Sequence, residues 1–173
     1  MKSKSSRHRW RAYPERVRGD GDGWVVSHAG TRHWGRFGAA GLLLRAPLGD
    51  GTLAVLLQHR AEWSHHGDTW GLPGGALDSH ETPEEAALRE AHEEAGLPSE
   101  QLSVRFKVVT AEIHGPGDVR WTYTTVVADA PETLPTVPNH ESRALSWVAM
   151  DQVTGLRLHP GFAASWKGLS SRL

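Results

Sequence analysis

The sequence predicts an α/β (α+β) domain, a mixed β-sheet with helices packed on it. Three observations carry that expectation. Strand-like apolar runs outnumber helical stretches along the chain. One helix, near the middle, has strong start and stop signals. Strands lie on both sides of that helix in the sequence, which suits a layered sheet-and-helix domain.

Taken in order, "DGDG" (Asp20 to Gly23) marks a turn. "WVVSHAGTRHWGRFGAAGLLLRA" reads as a hairpin around Ala29-Gly30 that runs into an apolar strand through Ala39 to Leu44. After the turn "GDGT", the run "LAVLLQHR" is apolar almost throughout, as in a strand buried on both faces. "WGLPGG" is too short and too rich in Gly and Pro for a helix, so it reads as a short strand entering a loop. The helix then opens with Thr82 as N-cap, Pro83 at N1 and Glu85 at N3, a capping box. Gly96 ends it, with Pro98 beyond. Two strands are expected next, at about Leu102 to Glu112 and Val119 to Ala128, separated by the loop "HGPGD". A Pro-rich loop, "APETLPTVPNHES", leads into a last strand "ALSWVAM", a helical turn from Asp151 and a final helix from Pro160.

Length and composition bound the function. The 173 residues suit one domain with a proper core, and the formal net charge of −1 favours neither a nucleic-acid binder nor a membrane-surface protein. With no cysteine, disulfides, thiolate zinc sites and cysteine nucleophiles are excluded. No apolar run approaches the roughly 18 residues that span a bilayer, and the basic N-terminus lacks the apolar core of a secretory signal. The expected location is the cytoplasm, with no membrane and no stable nucleic-acid partner, while a homodimer stays open. Residues 1–20 read as a basic arm and residues 21–173 as the single domain.

The central helix is chemically unusual because it carries Glu84, Glu85, Glu90, Glu93 and Glu94 with Arg89 as its only Lys or Arg. Like charges at these spacings destabilise a helix, so a cation is expected to sit among them. At about 100° per residue, with Arg89 at zero, Glu93, Glu90 and Glu94 fall at about 40°, 100° and 140°. Ala87, Ala91, Ala95 and Leu88 fill the adjoining arc, a small apolar face that lets the helix lie close to a sheet. Three carboxylates so placed form a hard-oxygen cluster suited to Mg²⁺ or Mn²⁺.

Gly75, Glu81 and "REAHEEAGL" (Arg89 to Leu97) fill the pattern G-x5-E-x7-R-E-U-x-E-E-x-G-U, in which the chain resembles the Nudix (MutT-like) superfamily. The one departure is Ala91, where a larger aliphatic is usual. The resemblance implies a Nudix-type α/β/α sandwich, with the box as a loop-helix-loop. It implies Mg²⁺-dependent hydrolysis, Mn²⁺ substituting, of the pyrophosphate bond of a nucleoside diphosphate linked to another moiety. It also implies Glu93 and Glu94 as metal ligands with a carbonyl of Gly74 or Gly75, Glu90 as ligand or base, and Glu81 and Arg89 as the pair that holds loop and helix in register.

A further acidic residue from a loop outside the box is expected as ligand or base; Glu141 is the first candidate and Glu112 its rival. Arg60, His65 and His66 are candidate phosphate contacts, and Trp63 and Trp121 candidate base-stacking residues. An NDP-sugar such as ADP-ribose and a (d)NTP are equal expectations for the nucleotide substrate. A non-catalytic Nudix-fold sensor is the alternative, although such modules commonly lose box carboxylates and none is lost here. Isomerases of this fold rely on a cysteine that the chain lacks.

Overall fold

A computed structural model describes residues 19–173; most of the basic arm lies outside them. The first two strands, β1 (Trp24–Val26) and β2 (Arg32–Trp34), form a separate antiparallel hairpin whose turn holds Gly30 at φ 79°. The main sheet has seven strands: β3 (Ala39–Pro47), β4 (Leu53–Arg60), β5 (Trp70–Gly71), β6 (Gly74–Ala76), β7 (Ser103–Gly115), β8 (Val119–Asp129) and β9 (Ser142–Ala149). β3 runs parallel to β8, and every other pairing is antiparallel. The sheet is therefore mixed, as expected.

β3 and β4 pair only at Arg45–Pro47 and Leu53–Val55, then part. The opening is filled by β6 against the start of β3 and β5 against the end of β4. "WGLPGG" thus becomes two short strands, and the loop that follows them emerges at the split.

Alternation along the apolar strands feeds two cores. Leu42, Leu44, Leu56 and Val126 face α1 (Pro83–Ala95), where Ala86, Ala87, Ala91 and Ala95 are fully buried. Leu43, Val55, Leu57 and Val127 face the opposite layer, which holds α2 (Pro160–Ser170) through Phe162, Trp166 and Leu169. The result is a helix–sheet–helix sandwich. Ala91, the departure in the box, sits at full burial where small residues bring α1 onto the sheet.

Both ends of α1 follow the sequence signals. Thr82 and Glu85 form the reciprocal capping box, and Gly96 closes the helix at φ 68°. The hairpin between β7 and β8 is tighter than expected. β7 continues to Gly115, because Gly117 (φ 70°) and Asp118 (φ 60°) make the reversal within three residues. At the first described residues, Asp20 and Gly21 are tied to the box loop. Asp20 accepts from Ser79 N–H at 2.9 Å and from its hydroxyl, and Gly21 N–H donates to Asp78 at 3.0 Å.

Candidate active site

The site forms where α1 crosses the split in the sheet. Gly74 N–H donates to Glu94 Oε2 at 2.8 Å, so the box helix is fastened to the loop by a buried carboxylate. A Cβ on Gly74 would collide with the carbonyl of Ala40, and one on Gly75 with the carboxylate of Glu90. Only glycine lets the loop backbone pass this close.

Arg89 aligns loop and helix. Its Nε and Nη2 grip Glu81 at 2.6 and 2.9 Å, Nη2 also donates to the Ala76 carbonyl at 3.0 Å, and Nη1 donates to Glu90 Oε1 at 2.8 Å. Glu81 in turn accepts from Asp78 N–H. This bidentate bond holds the Glu81 carboxyl below its ordinary range.

The remaining carboxylates carry an unresolved charge problem. Glu94 is 3% exposed; burial first, then the charge of Glu90, push its pKa up to about 8 against the bond from Gly74. Burial also raises Glu90, with Glu93 and Glu141 adding repulsion that Arg89 only partly offsets. The amide of Gln58, 1% exposed, donates to Ser142 Oγ at 2.9 Å, while its Oε1 has no hydrogen-bond partner among the described residues. Buried like charges of this kind are stable together when a cation neutralises them. The donor set is all oxygen, which fits a hard divalent ion.

Glu141 reaches the cluster from the Pro-rich loop because that loop docks on the open end of α1. Val137 N–H donates to the Ala95 carbonyl at 2.9 Å and Asn139 N–H to the Glu94 carbonyl at 3.3 Å. Asn139 Oδ1 then accepts from Glu141 N–H at 2.9 Å, and the Glu141 carbonyl accepts from Ala61 N–H at 2.9 Å. Glu112 sits elsewhere, on the exposed β7–β8 hairpin, where Arg120 grips it at 2.8 and 2.9 Å and lowers its pKa.

The aromatic candidates separate. Trp63 is 67% exposed and lies parallel to His140, with centroids 6.0 Å apart. Trp121 is 6% exposed, donates its indole N–H to the Trp34 carbonyl at 3.0 Å, and packs on His33. Its face is not open to a base, contrary to the expectation, because β8 turns it inward beneath the β1–β2 hairpin. Arg60, His65 and His66 gather at the end of β4 and the following loop, close to His159 at the start of α2. A separate trio, Asp20, Asp78 and His80, has ligand-capable atoms within 4.8 Å of one another beside the box loop.

Sequence reasoning missed Gln58, Tyr123, Asn139, His140 and His159. Asn139 and His140 adjoin Glu141 in "PNHES" and could have been read with it. The others depend on strand register and gave no local signal.

The NUDIX domain family matches residues 35–169, and the chain belongs to that family. A Mycobacterium tuberculosis protein provisionally named 8-oxo-dGTP diphosphatase 3 is 70% identical over 158 residues, covering 91% of this chain and 73% of that one. The crystal structure of a Nudix hydrolase from M. smegmatis, RenU, superposes with a TM-score of 0.86 at 68% identity, over 88% of this chain and 94% of that one. A Bifidobacterium longum nucleoside triphosphate pyrophosphatase/Nudix hydrolase fusion protein is 41% identical over 164 residues, 92% of this chain and 33% of the relative. The chain is a Nudix pyrophosphohydrolase. No helix among the described residues is long and apolar enough to cross a membrane.

Proposed function

We propose that this pyrophosphohydrolase depends on Mg²⁺, with Mn²⁺ as a substitute, and cleaves nucleoside triphosphates, with oxidised guanine nucleotides such as 8-oxo-dGTP the first to test. The observation that carries the metal dependence is the buried carboxylate of Glu94 amid the negative charge of Glu90 and Glu141. The substrate class rests on the name of the M. tuberculosis relative at 70% identity. Glu90, Glu93, Glu94 and Glu141, with the carbonyl of Gly75, would hold the ion. Held there, such an ion would supply neutralisation of the charge on the leaving phosphate and acidification of the attacking water.

The chain's own groups supply positioning and proton transfer. Arg89 and Glu81 keep the box loop in register with α1. Glu90 holds an Arg89 N–H on Oε1, which ties that oxygen to the pair that aligns the loop. Glu141 is half-exposed, with His140 Nε2 at 3.6 Å from its Oε1. A Glu141 carboxylate oxygen therefore takes the proton of the attacking water, and His140 offers it a way onward. Trp63, backed by His140, presents its outer face to a purine.

Initial rates on dGTP, 8-oxo-dGTP and ADP-ribose, with Mg²⁺ or with chelator and in ¹⁸O-labelled water, test this reading. The expected result is Mg²⁺-dependent release of nucleoside monophosphate and pyrophosphate from the triphosphates. Hydrolysis of ADP-ribose without hydrolysis of any triphosphate would overturn the substrate class.

A further inference from the structure

Beside the carboxylates lies a group of opposite character. Arg60 is half-buried, and its one side-chain hydrogen bond among the described residues runs from Nε to the His65 carbonyl at 3.3 Å. No carboxylate of the described residues lies within ion-pair distance of it, which leaves most of its five N–H donors uncommitted. The His65 and His66 rings are 4.1 Å apart, and His66 meets His159 edge-on at 4.9 Å. His159 Nδ1 accepts from Gly161 N–H at 3.1 Å, so its ring proton resides on Nε2 as a free donor. Trp24 closes one side, 5.5 Å from His65.

Neighbouring acids serve other cations. Asp68 binds His59, Arg143 and Arg157, and Glu62 binds Arg143. His66 and Asp68 hold φ of 54° and 57°, left-handed backbone that non-glycine residues adopt at a cost and that gathers at functional sites. Burial and the charge of Arg60 hold His159 down at about 4, and burial, His66 and Arg60 likewise depress His65. Arg60 thus supplies the fixed positive charge of the group, and His159 a neutral N–H donor beside it.

The cluster also adjoins the carboxylates. Arg60 is paired in register with Ser142, next to Glu141, and the Tyr123 phenol feels the charges of Glu94, Arg60 and Glu90 together. Arg60 therefore ends β4 on the side of the sheet split where the carboxylates gather.

We infer that Arg60, His65, His66 and His159 form an anion subsite that receives the terminal phosphate of a nucleoside triphosphate. One guanidinium and three imidazoles match a dianionic phosphomonoester, whereas the diester phosphate of an NDP-sugar offers a single charge. The inference rests on the triphosphate reading above and adds the residues that select it.

The test uses the full chain. Inorganic pyrophosphate is titrated calorimetrically in chelator, where the carboxylates repel it, into wild type, Arg60→Gln and His66→Asn. Asparagine tolerates the left-handed backbone at that position. Steady-state constants are measured alongside for dGTP and ADP-ribose with Mg²⁺. The expected result is saturable pyrophosphate binding that weakens about tenfold or more in each variant, with KM for the triphosphate rising by a similar factor and kcat within about twofold. The KM of any ADP-ribose turnover stays unchanged. Absence of saturable binding to wild type, variants that bind as wild type, or parallel KM increases on both substrates would overturn the subsite. Wild type that binds pyrophosphate through Arg60 yet hydrolyses no triphosphate would sink the substrate class and leave the anion subsite standing.

Discussion

Asn139 joins Glu94 to Glu141: its backbone N–H donates to the Glu94 carbonyl at 3.3 Å, and its side-chain Oδ1 accepts the Glu141 N–H at 2.9 Å. The loop carboxylate is thereby indexed to the end of the box helix. Asn139→Ala should lower kcat on the order of tenfold by loosening Glu141, with a stability loss of no more than about 1 kcal/mol. Glu141→Gln should impair turnover further, and Glu112→Gln should leave it near wild type. Rates for the three variants decide the matter, since damage from Glu112→Gln alone would show that the assigned loop is wrong.

Glu94→Gln should cut turnover on the order of 10²-fold or more while the fold stays intact. The same residue sets a pH dependence. A carboxyl whose folded pKa is raised to about 8 holds its proton in the native state after the unfolded chain has lost it, so stability falls as pH rises through that window. His159, lowered to about 4, acts oppositely, but its contribution is complete once pH exceeds its unfolded value of 6.5. Between about pH 6.5 and 8 the chelated protein should therefore lose thermal stability, and Glu94→Gln should flatten the curve. Mg²⁺ at pH 8 should raise the Tm of wild type more than that of the variant.

The sequence shows the helix of the site because its signals are local: Thr82, Pro83, Glu85 and Gly96 announce it within 15 residues. Strands were legible for the same reason, since "LAVLLQHR" needs no partner to declare itself buried. What could not be read was pairing. Gln58 reaches Glu94, and Tyr123 senses both Arg60 and the carboxylates, through registers that join residues far apart in the chain. Trp121 shows the limit from the other side: its strand and the hairpin around Gly30 are both legible locally, but that the hairpin folds over Trp121 is not.

The two-layer core gives a stability prediction independent of chemistry. Leu43 is fully buried among Val55, Leu57, Val127 and the α2 side chains. Leu43→Ala should cost about 2–5 kcal/mol through lost transfer energy and a residual cavity. Denaturant unfolding should show a lower midpoint with an unchanged slope. A loss below about 1 kcal/mol would mean that the α2 layer closes over the gap.

Arg89 tests whether the box arginine works by charge or by shape. It makes four hydrogen bonds to three partners, Glu81, Ala76 and Glu90, and it is one-third exposed. Lysine would keep the charge but cannot span Glu81 with two parallel donors while reaching the other two groups. With Glu81 only 8% exposed and Asp78 N–H serving Oε2 alone, losing the Nε arm leaves the nearly buried Oε1 without a donor. Arg89→Lys should therefore lower stability by about 1–2 kcal/mol, discounted for the exposure of the guanidinium. It should lower kcat as well, because the Gly74–Gly75 loop then shifts against Glu90 and Glu94. If lysine preserved both stability and kcat, a positive charge alone would suffice there, and the fork geometry would have no part in aligning the loop.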